Sequence, residues 1–198
     1  LGIISFAAPL VAPHDPLEPN FGALRASPSW DHLMGTDDLG RDVFSRVLYG
    51  GRVTLTVAFI AVAIGDGLAF LIAVVAAYAG GWVDLVSQRV LEVLLAFPTL
   101  ILALLLLVAL GGGVSTIIIA IAIIQIPGTS RVIRSRVLSV KEEPYVEAAR
   151  VVGATPLRVA LRHVAPQNLG LVLVLFSIDL GFAVFTEAAL SFLGVGIS

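Results

Sequence analysis

The chain has 198 residues and a formal net charge of −2, and 58% of its residues are hydrophobic while 13% are charged. Soluble domains carry about 25% charged residues, so this composition excludes an ordinary soluble fold and is typical of a protein embedded in a bilayer. The balanced charge gives no reason to expect a nucleic-acid partner. The sequence has no cysteine, which excludes disulfides and thiolate metal sites.

The first 52 residues are predicted to form two segments. Residues 1–12 are apolar but too few to cross about 30 Å of hydrocarbon. Because no initiator Met precedes them, we expect the end of a truncated first transmembrane helix. Residues 13–52 are predicted to form an external loop that starts irregularly, since five of the ten prolines fall at or before Pro28. Apolar residues at helical spacing from Leu39 to Leu48 then predict a short interfacial helix with Thr36 as its N-cap.

Residues 53–198 are predicted to form a transmembrane core, which makes the chain an all-α, multi-spanning membrane protein. Four apolar stretches are the predicted spans, at about 53–77, 90–110, 114–130 and 169–190. Pro98 is predicted to kink the second of them, because proline lacks the N–H of the helical ladder. A polar segment, residues 131–168, separates the third span from the last.

The distribution of basic residues predicts the orientation. Residues 128–165 hold seven of the twelve Lys and Arg residues, whereas residues 13–52 carry four bases against six acids. By the positive-inside rule the first of these segments is cytoplasmic and the second external.

The cytoplasmic segment has the signals of two short helices. Pro144 suits the first turn of a helix, Gly153 suits a left-handed C-cap, and Pro156 suits the first turn of a second helix that Pro166 would end. We call residues 144–166 the elbow. The small side chains of Ala148 and Ala149 would let another protein approach its backbone closely.

The spacing of Glu147, Ala148, Ala149, Gly153 and Pro166 resembles the EAA loop of permease subunits in bacterial binding-protein-dependent ABC importers. The stretch at residues 35–46, GTDDLGRDVFSR, looks like a segment of the dipeptide/oligopeptide/nickel branch, and in particular of the second permease of each pair. We call this stretch the outer motif. The resemblance extends from about Pro9 to Ser198.

This resemblance implies a type I importer permease in the bacterial inner membrane, which carries no catalytic residues. It also implies a paired permease, two ATP-binding subunits that hold ATP and Mg²⁺, an extracytoplasmic substrate-binding protein and a surrounding bilayer. Cargo would be a dipeptide, an oligopeptide, glutathione or a nickel complex. The residues expected to couple to the ATPase are Tyr145, Glu147, Ala148, Ala149, Gly153, Pro156 and Pro166. The resemblance also singles out seven residues of the external outer motif: Gly35, Thr36, Asp37, Gly40, Arg41, Asp42 and Arg46.

Asp66, Asp179 and Glu187 lie within the apparent spans, and intramembrane carboxylates are functional candidates. Asp179 and Glu187 are possible pathway residues, with burial against a polar partner as the alternative. Asp66 lies between Gly65 and Gly67, which favours a structural role in close helix packing. The same three carboxylates leave a second function open, that of a proton-coupled secondary transporter, although such proteins have internal repeats that this sequence does not show. A channel or anchor without energy coupling would leave the elbow unexplained.

The histidines carry no metal-site spacing. His14, His32 and His163 are too scattered to predict a metal site from spacing alone, although a nickel-complex cargo would make the external His14 or His32 a candidate contact. The sequence contains no Walker A motif, so this chain is not expected to bind ATP phosphates in that way.

Overall fold

The computed structural model describes residues 2–196, apart from the side chain of Ile3. Regular structure in this range is helical except for one antiparallel bridge between Thr36 and Asp42, which confirms the all-α prediction. The helices are α1 (Gly2–Phe6), α2 (Ala8–Val11), α3 (Val43–Ala79), α4 (Gly81–Leu95), α5 (Thr99–Leu110), α6 (Val114–Lys141), α7 (Pro144–Val151), α8 (Pro156–Val159) and α9 (Leu169–Phe192). The chain divides into two compact units, Leu1–Thr56 and Val57–Ser198, which are described separately.

The first unit has two short helices, a long irregular segment and the start of α3. The prediction of a separate interfacial helix capped by Thr36 is wrong, because α3 begins at Val43 and runs unbroken to Ala79. Gly40 has φ +75°, a left-handed conformation that interrupts a right-handed helix. Asp42 takes the capping role instead, since its Oδ2 accepts a hydrogen bond from the Ser45 N–H at 2.8 Å.

Three helical stretches in the described residues are long and apolar enough to cross a membrane: Val43–Ala79, Val114–Lys141 and Pro156–Phe192. A fourth crossing is available if α4 and α5 count as one span. These two helices meet at 94°, so Pro98 separates two helices where the sequence predicts only a kink. Proline cannot donate to the ladder and disfavours helical backbone in the residue before it.

The third stretch includes the second half of the elbow, so the prediction that Pro166 ends a helix before the last span is wrong. A π-helical turn, Ala160–Val164, is followed by a 3₁₀ turn, Pro166–Asn168, that leads directly into α9. The Ala165 N–H donates to the Ala160 carbonyl at 2.8 Å, the wider bonding pattern of a π turn. These two turns accommodate the missing N–H of Pro166 without breaking the helical path.

Helix α6 is the centre of the second unit and extends further than predicted, to Lys141 rather than residue 130. Its buried side chains contribute to every apolar cluster of this unit. Its last residue explains the extension, because Lys141 Nζ donates to the carbonyls of Ala77 and Tyr78 at the end of α3, at 3.2 and 3.3 Å. A cation at a helix C-terminus satisfies free carbonyls and is attracted to the negative end of the helix dipole.

A glycine permits the closest approach between α3 and α6. A Cβ built on Gly65 would lie 2.9 Å from the carbonyl oxygen of Ala122 and 3.2 Å from its Cα. A Cβ on Gly67 would meet nothing within 4 Å. The two glycines beside Asp66 therefore differ, and the predicted packing role belongs to Gly65 alone.

We expect Gly65→Ala to destabilise the folded chain by about 1–3 kcal/mol, because the added methyl group must push α3 away from the α6 backbone. Gly67→Ala is the matched control. It gains the better helix propensity of alanine, roughly 0.5–1 kcal/mol, and meets no clash. Thermal unfolding in detergent measures both variants. Equal thermal midpoints for the two would contradict the close contact.

Candidate functional site

The elbow contains the two helices that the sequence predicts, α7 and α8. Pro144 occupies the first turn of α7, and Gly153 has φ +84° just beyond its end. The Gly153 N–H donates to the Arg150 carbonyl at 2.9 Å, and the Ala154 N–H donates to the Ala149 carbonyl at 3.0 Å. These two bonds form a Schellman cap, so the prediction of a left-handed C-cap at Gly153 is confirmed.

The inner side of the elbow is anchored in the helical core. Val146 and Val159 are fully buried, and Ala149 is 9% exposed. They belong to one apolar cluster with residues of α3 and α6, namely Ala73, Val74, Ala77, Ile133, Val137 and Val140. Burying a valine side chain contributes roughly 1.5–3 kcal/mol, so several such contacts hold the elbow firmly to the two longest helices.

Four large apolar side chains of the elbow are exposed. Val151, Val152, Leu157 and Leu161 are between 61% and 83% exposed, and we call these four residues the elbow face. The apolar residues of the second half of the elbow are divided, since Leu157 and Leu161 are exposed while Ala160 and Val164 are buried.

A groove of about 560 Å³ lies along the elbow. Its lining residues are Tyr145, Ala148, Ala149, Val152, Ala154, Arg158, Arg162 and His163. Three of the predicted coupling residues thus share this groove. Of the others, Glu147 is exposed on α7, Pro156 starts α8, and Pro166 lies exposed in the 3₁₀ turn.

The outer motif is a tight turn within the first unit, and its glycines have specific roles. Gly35 and Gly40 have φ +72° and +75°. A Cβ on Gly35 would lie 2.4 Å from the Ala26 carbonyl oxygen, and one on Gly40 would lie 1.8 Å from that of Asn20. Both positions therefore require glycine, because the backbone is left-handed and another backbone segment lies against it.

The polar side chains of the outer motif hold this turn together. Thr36 Oγ1 accepts from the Ala26 N–H at 2.8 Å and donates to the Ala23 carbonyl. Asp37 accepts from the N–H groups of Leu39 and Arg41 at 2.9 and 3.0 Å, and from Arg41 Nε at 2.8 Å. Arg46 also donates to Asp37. The structure thus brings the predicted motif residues together, although their contacts are with each other and with residues 20–32.

The environment of Asp37 shifts its pKa. Desolvation by burial raises the pKa, but the backbone hydrogen bonds from Arg41 and Leu39 and the Arg41 side chain outweigh it and lower the pKa to about 2. A carboxylate in an unfolded chain has a pKa of about 3.9. Its contribution to stability is therefore fully present above about pH 4 and is lost as pH falls towards 2.

We expect Asp37→Asn to lower the thermal midpoint by a constant amount between pH 5 and 8, because the carboxylate is charged throughout this range. Below about pH 4 the difference from wild type should shrink, since the wild-type carboxylate becomes protonated. Thermal unfolding in detergent at each pH measures this difference. The exposed Asp31→Asn is the control, and a gap that stays constant down to pH 2 would contradict the role of the charge.

A second cavity, of about 380 Å³, lies among α4, α5, α6 and α9 and includes the Asp179 side chain in its lining. Thr129 Oγ1 donates to Asp179 Oδ2 at 2.7 Å, and Gln125 Nε2 donates to the Asp179 carbonyl at 3.0 Å. Asp66 is 1% exposed, and Glu187 is buried on α9 away from the cavity lining.

Sequence reasoning did not single out Gln125 and Thr129. The available signal was their spacing, because two polar residues four positions apart share one face of an otherwise apolar helix.

These features define a helical membrane protein whose elbow is packed against α3 and α6 and exposes large apolar side chains. Residues 69–198 match the model of the binding-protein-dependent transport system inner membrane component family, and the chain belongs to that family. The family relationship confirms the predicted resemblance and the inner-membrane location.

Individual relatives are consistent with this assignment. The chain is 37% identical over 195 residues to a glutathione transport system permease protein of Escherichia coli O1:K1 and 36% identical over 194 residues to that of Pectobacterium atrosepticum. It is also 36% identical over 194 residues to a dipeptide transport system permease protein of Alkalihalophilus pseudofirmus. Each alignment covers 98% of this chain and 64% of the relative, so the chain spans a little under two thirds of their length.

Proposed function

We propose that this chain belongs to the permease subunit of an ATP-driven importer for peptides or related small solutes, and that the elbow couples ATP hydrolysis to transport. One observation carries the proposal: the elbow is anchored to α3 and α6 on its inner side and exposes an apolar face on the other. A coupling element needs both properties, since it must receive motion from a partner and pass it to the spans.

The elbow face favours a protein partner on the cytoplasmic side. Contiguous exposed apolar surface marks interaction sites, and Arg158 and Arg162 in the adjoining groove add positive charge suited to acidic groups or carbonyls. We assign this surface to one of two ATP-binding subunits, which would hold ATP and Mg²⁺. The chain itself would then contribute no catalytic residue.

The cargo proposed is of the peptide class. Relatives named for glutathione and dipeptide transport support this class, and nickel complexes remain a second cargo suggested by the outer motif. Asp179 lines a cavity among the helices, and a carboxylate there would attract the free amino group of a peptide. Glu187 is a weaker pathway candidate, because it does not line this cavity.

The remaining partners follow from the exposed surfaces. Helix α9 is largely uncovered, with Leu173, Ile178 and Phe185 all more than 60% exposed, which suits contact with a paired permease or with lipid. The outer motif would lie on the side where a substrate-binding protein delivers cargo.

We expect Gly153→Val to abolish or strongly reduce ATP-driven uptake, because a β-branched residue is strained at φ +84° and would distort the elbow. Gly153→Asn is the matched variant, because asparagine tolerates left-handed backbone and should retain most uptake. The measurement is uptake of a labelled dipeptide into vesicles containing the whole transporter, together with its ATPase rate. Nothing lies within 4 Å of a Cβ at this position, so conformation rather than a clash is being tested.

Two outcomes would contradict the proposal. Full uptake by the Gly153→Val variant would show that the elbow does not couple. Uptake driven by a proton gradient without ATP would instead favour the secondary-transporter alternative, with Asp66, Asp179 and Glu187 as the proton-carrying groups.

A further inference from the structure

The first unit brings together three potential metal ligands that are far apart in sequence. Ligand atoms of His14, His32 and Asp42 all lie within 4.8 Å of one another. We propose that these residues form a binding site for a divalent first-row transition metal ion of the Zn²⁺ type. The site belongs to the external segment and is independent of the transport cycle proposed above.

The geometry is close to that of a coordinated ion. Two ligands about 2.1 Å from a tetrahedral Zn²⁺ lie roughly 3.4 Å apart. His32 Nδ1 and Asp42 Oδ1 are already 3.0 Å apart, and the centroids of the two imidazole rings are 4.8 Å apart with a tilt of 33°. The three ligand atoms, now within 4.8 Å of one another, would have to draw together to about 3.4 Å to bind one ion.

The ligands are held in place by their surroundings. Asp42 is 2% exposed, and its second oxygen accepts the Ser45 N–H at 2.8 Å, which leaves Oδ1 for the ion. The backbone N–H of His14 donates to Ser45 Oγ at 3.3 Å, so Ser45 orders both His14 and Asp42. Such outer contacts orient metal ligands and strengthen binding.

One ligand atom has no other explanation. His14 Nδ1 is buried and has no hydrogen-bond partner within residues 2–196. A buried polar atom without a hydrogen-bond partner is unfavourable, so a ligand that satisfied this nitrogen would stabilise the folded loop. One ring nitrogen of His14 lies within 4.8 Å of the other two donors, so a cation at this cluster would give the imidazole a partner.

The donor set selects the class of ion. Imidazole nitrogens suit Zn²⁺, Ni²⁺ and Cu²⁺, whereas Ca²⁺ and Mg²⁺ prefer all-oxygen sites. Three protein ligands leave at least one coordination position open. A cavity of about 350 Å³ adjoins the three residues, with room for water or for a donor from another molecule at that position. A bound ion would tie two segments of the external loop to the start of α3.

The test uses the full-length permease purified in detergent with a tag that contains no histidine. Isothermal titration with Zn²⁺ should show one saturable site per chain, and Co²⁺ should give the visible absorption of a low-coordinate ion. His14→Asn and His32→Asn should each weaken Zn²⁺ binding at least tenfold. His163→Asn is the matched control, because His163 is the only other histidine in the sequence and lies on the elbow.

The variants are checked for folding by their thermal midpoints without metal. Saturating Zn²⁺ should then raise the midpoint of the wild type and of His163→Asn but not of the other two. Should either substitution prevent folding, the wild-type titration and its thermal shift still decide the question. Absence of a saturable site, or equal binding by the His14→Asn variant, would reduce the cluster to an ordinary His–Asp hydrogen bond and overturn the proposal.

Discussion

The rest of the second unit depends on the packing of α6 against its neighbours. A bilayer offers no hydrophobic force between helices, so close contact of small residues must supply much of their association. The missing side chain of Gly65 lets α3 approach the backbone of α6 at Ala122. Because the same α6 continues to Lys141 and packs beneath α7, the elbow and the spans share one continuous element. Motion of the elbow would therefore reach the spans without passing through a flexible joint.

Local signals in the sequence were sufficient for the first half of the elbow and insufficient for the ends of the longer helices. Pro144 and Gly153 act through their own backbone preferences, so both ends of α7 were predictable. The end of α6 depends on Lys141 reaching carbonyls more than sixty residues away, and no local pattern reports such a contact. The angle between α4 and α5 was equally unpredictable, because a proline predicts an interruption of the helix but not the size of the bend.

The candidate sites, like the helix ends, depend on contacts between residues far apart in the sequence. The outer motif is recognisable as a string of residues, but the reason for its glycines lies in Ala26 and Asn20, which approach from another part of the loop. His14 and His32 are separated by 18 positions, and only the folded loop places them beside Asp42. The cavity at Asp179 likewise needs residues from four helices. Spacing rules find ligands on one helix or one turn, and none of these sets meets that condition.

The elbow face has a consequence for the life of the protein before assembly. Four large apolar side chains are uncovered by the rest of the chain, and under the proposed function they would be covered only on assembly with a partner. Exposed apolar surface of this kind is what chaperones and proteases recognise in incompletely folded proteins. Under the coupling role proposed above, the same surface would mark an unassembled copy for removal, and the number of copies that persist would follow the number of available partner subunits.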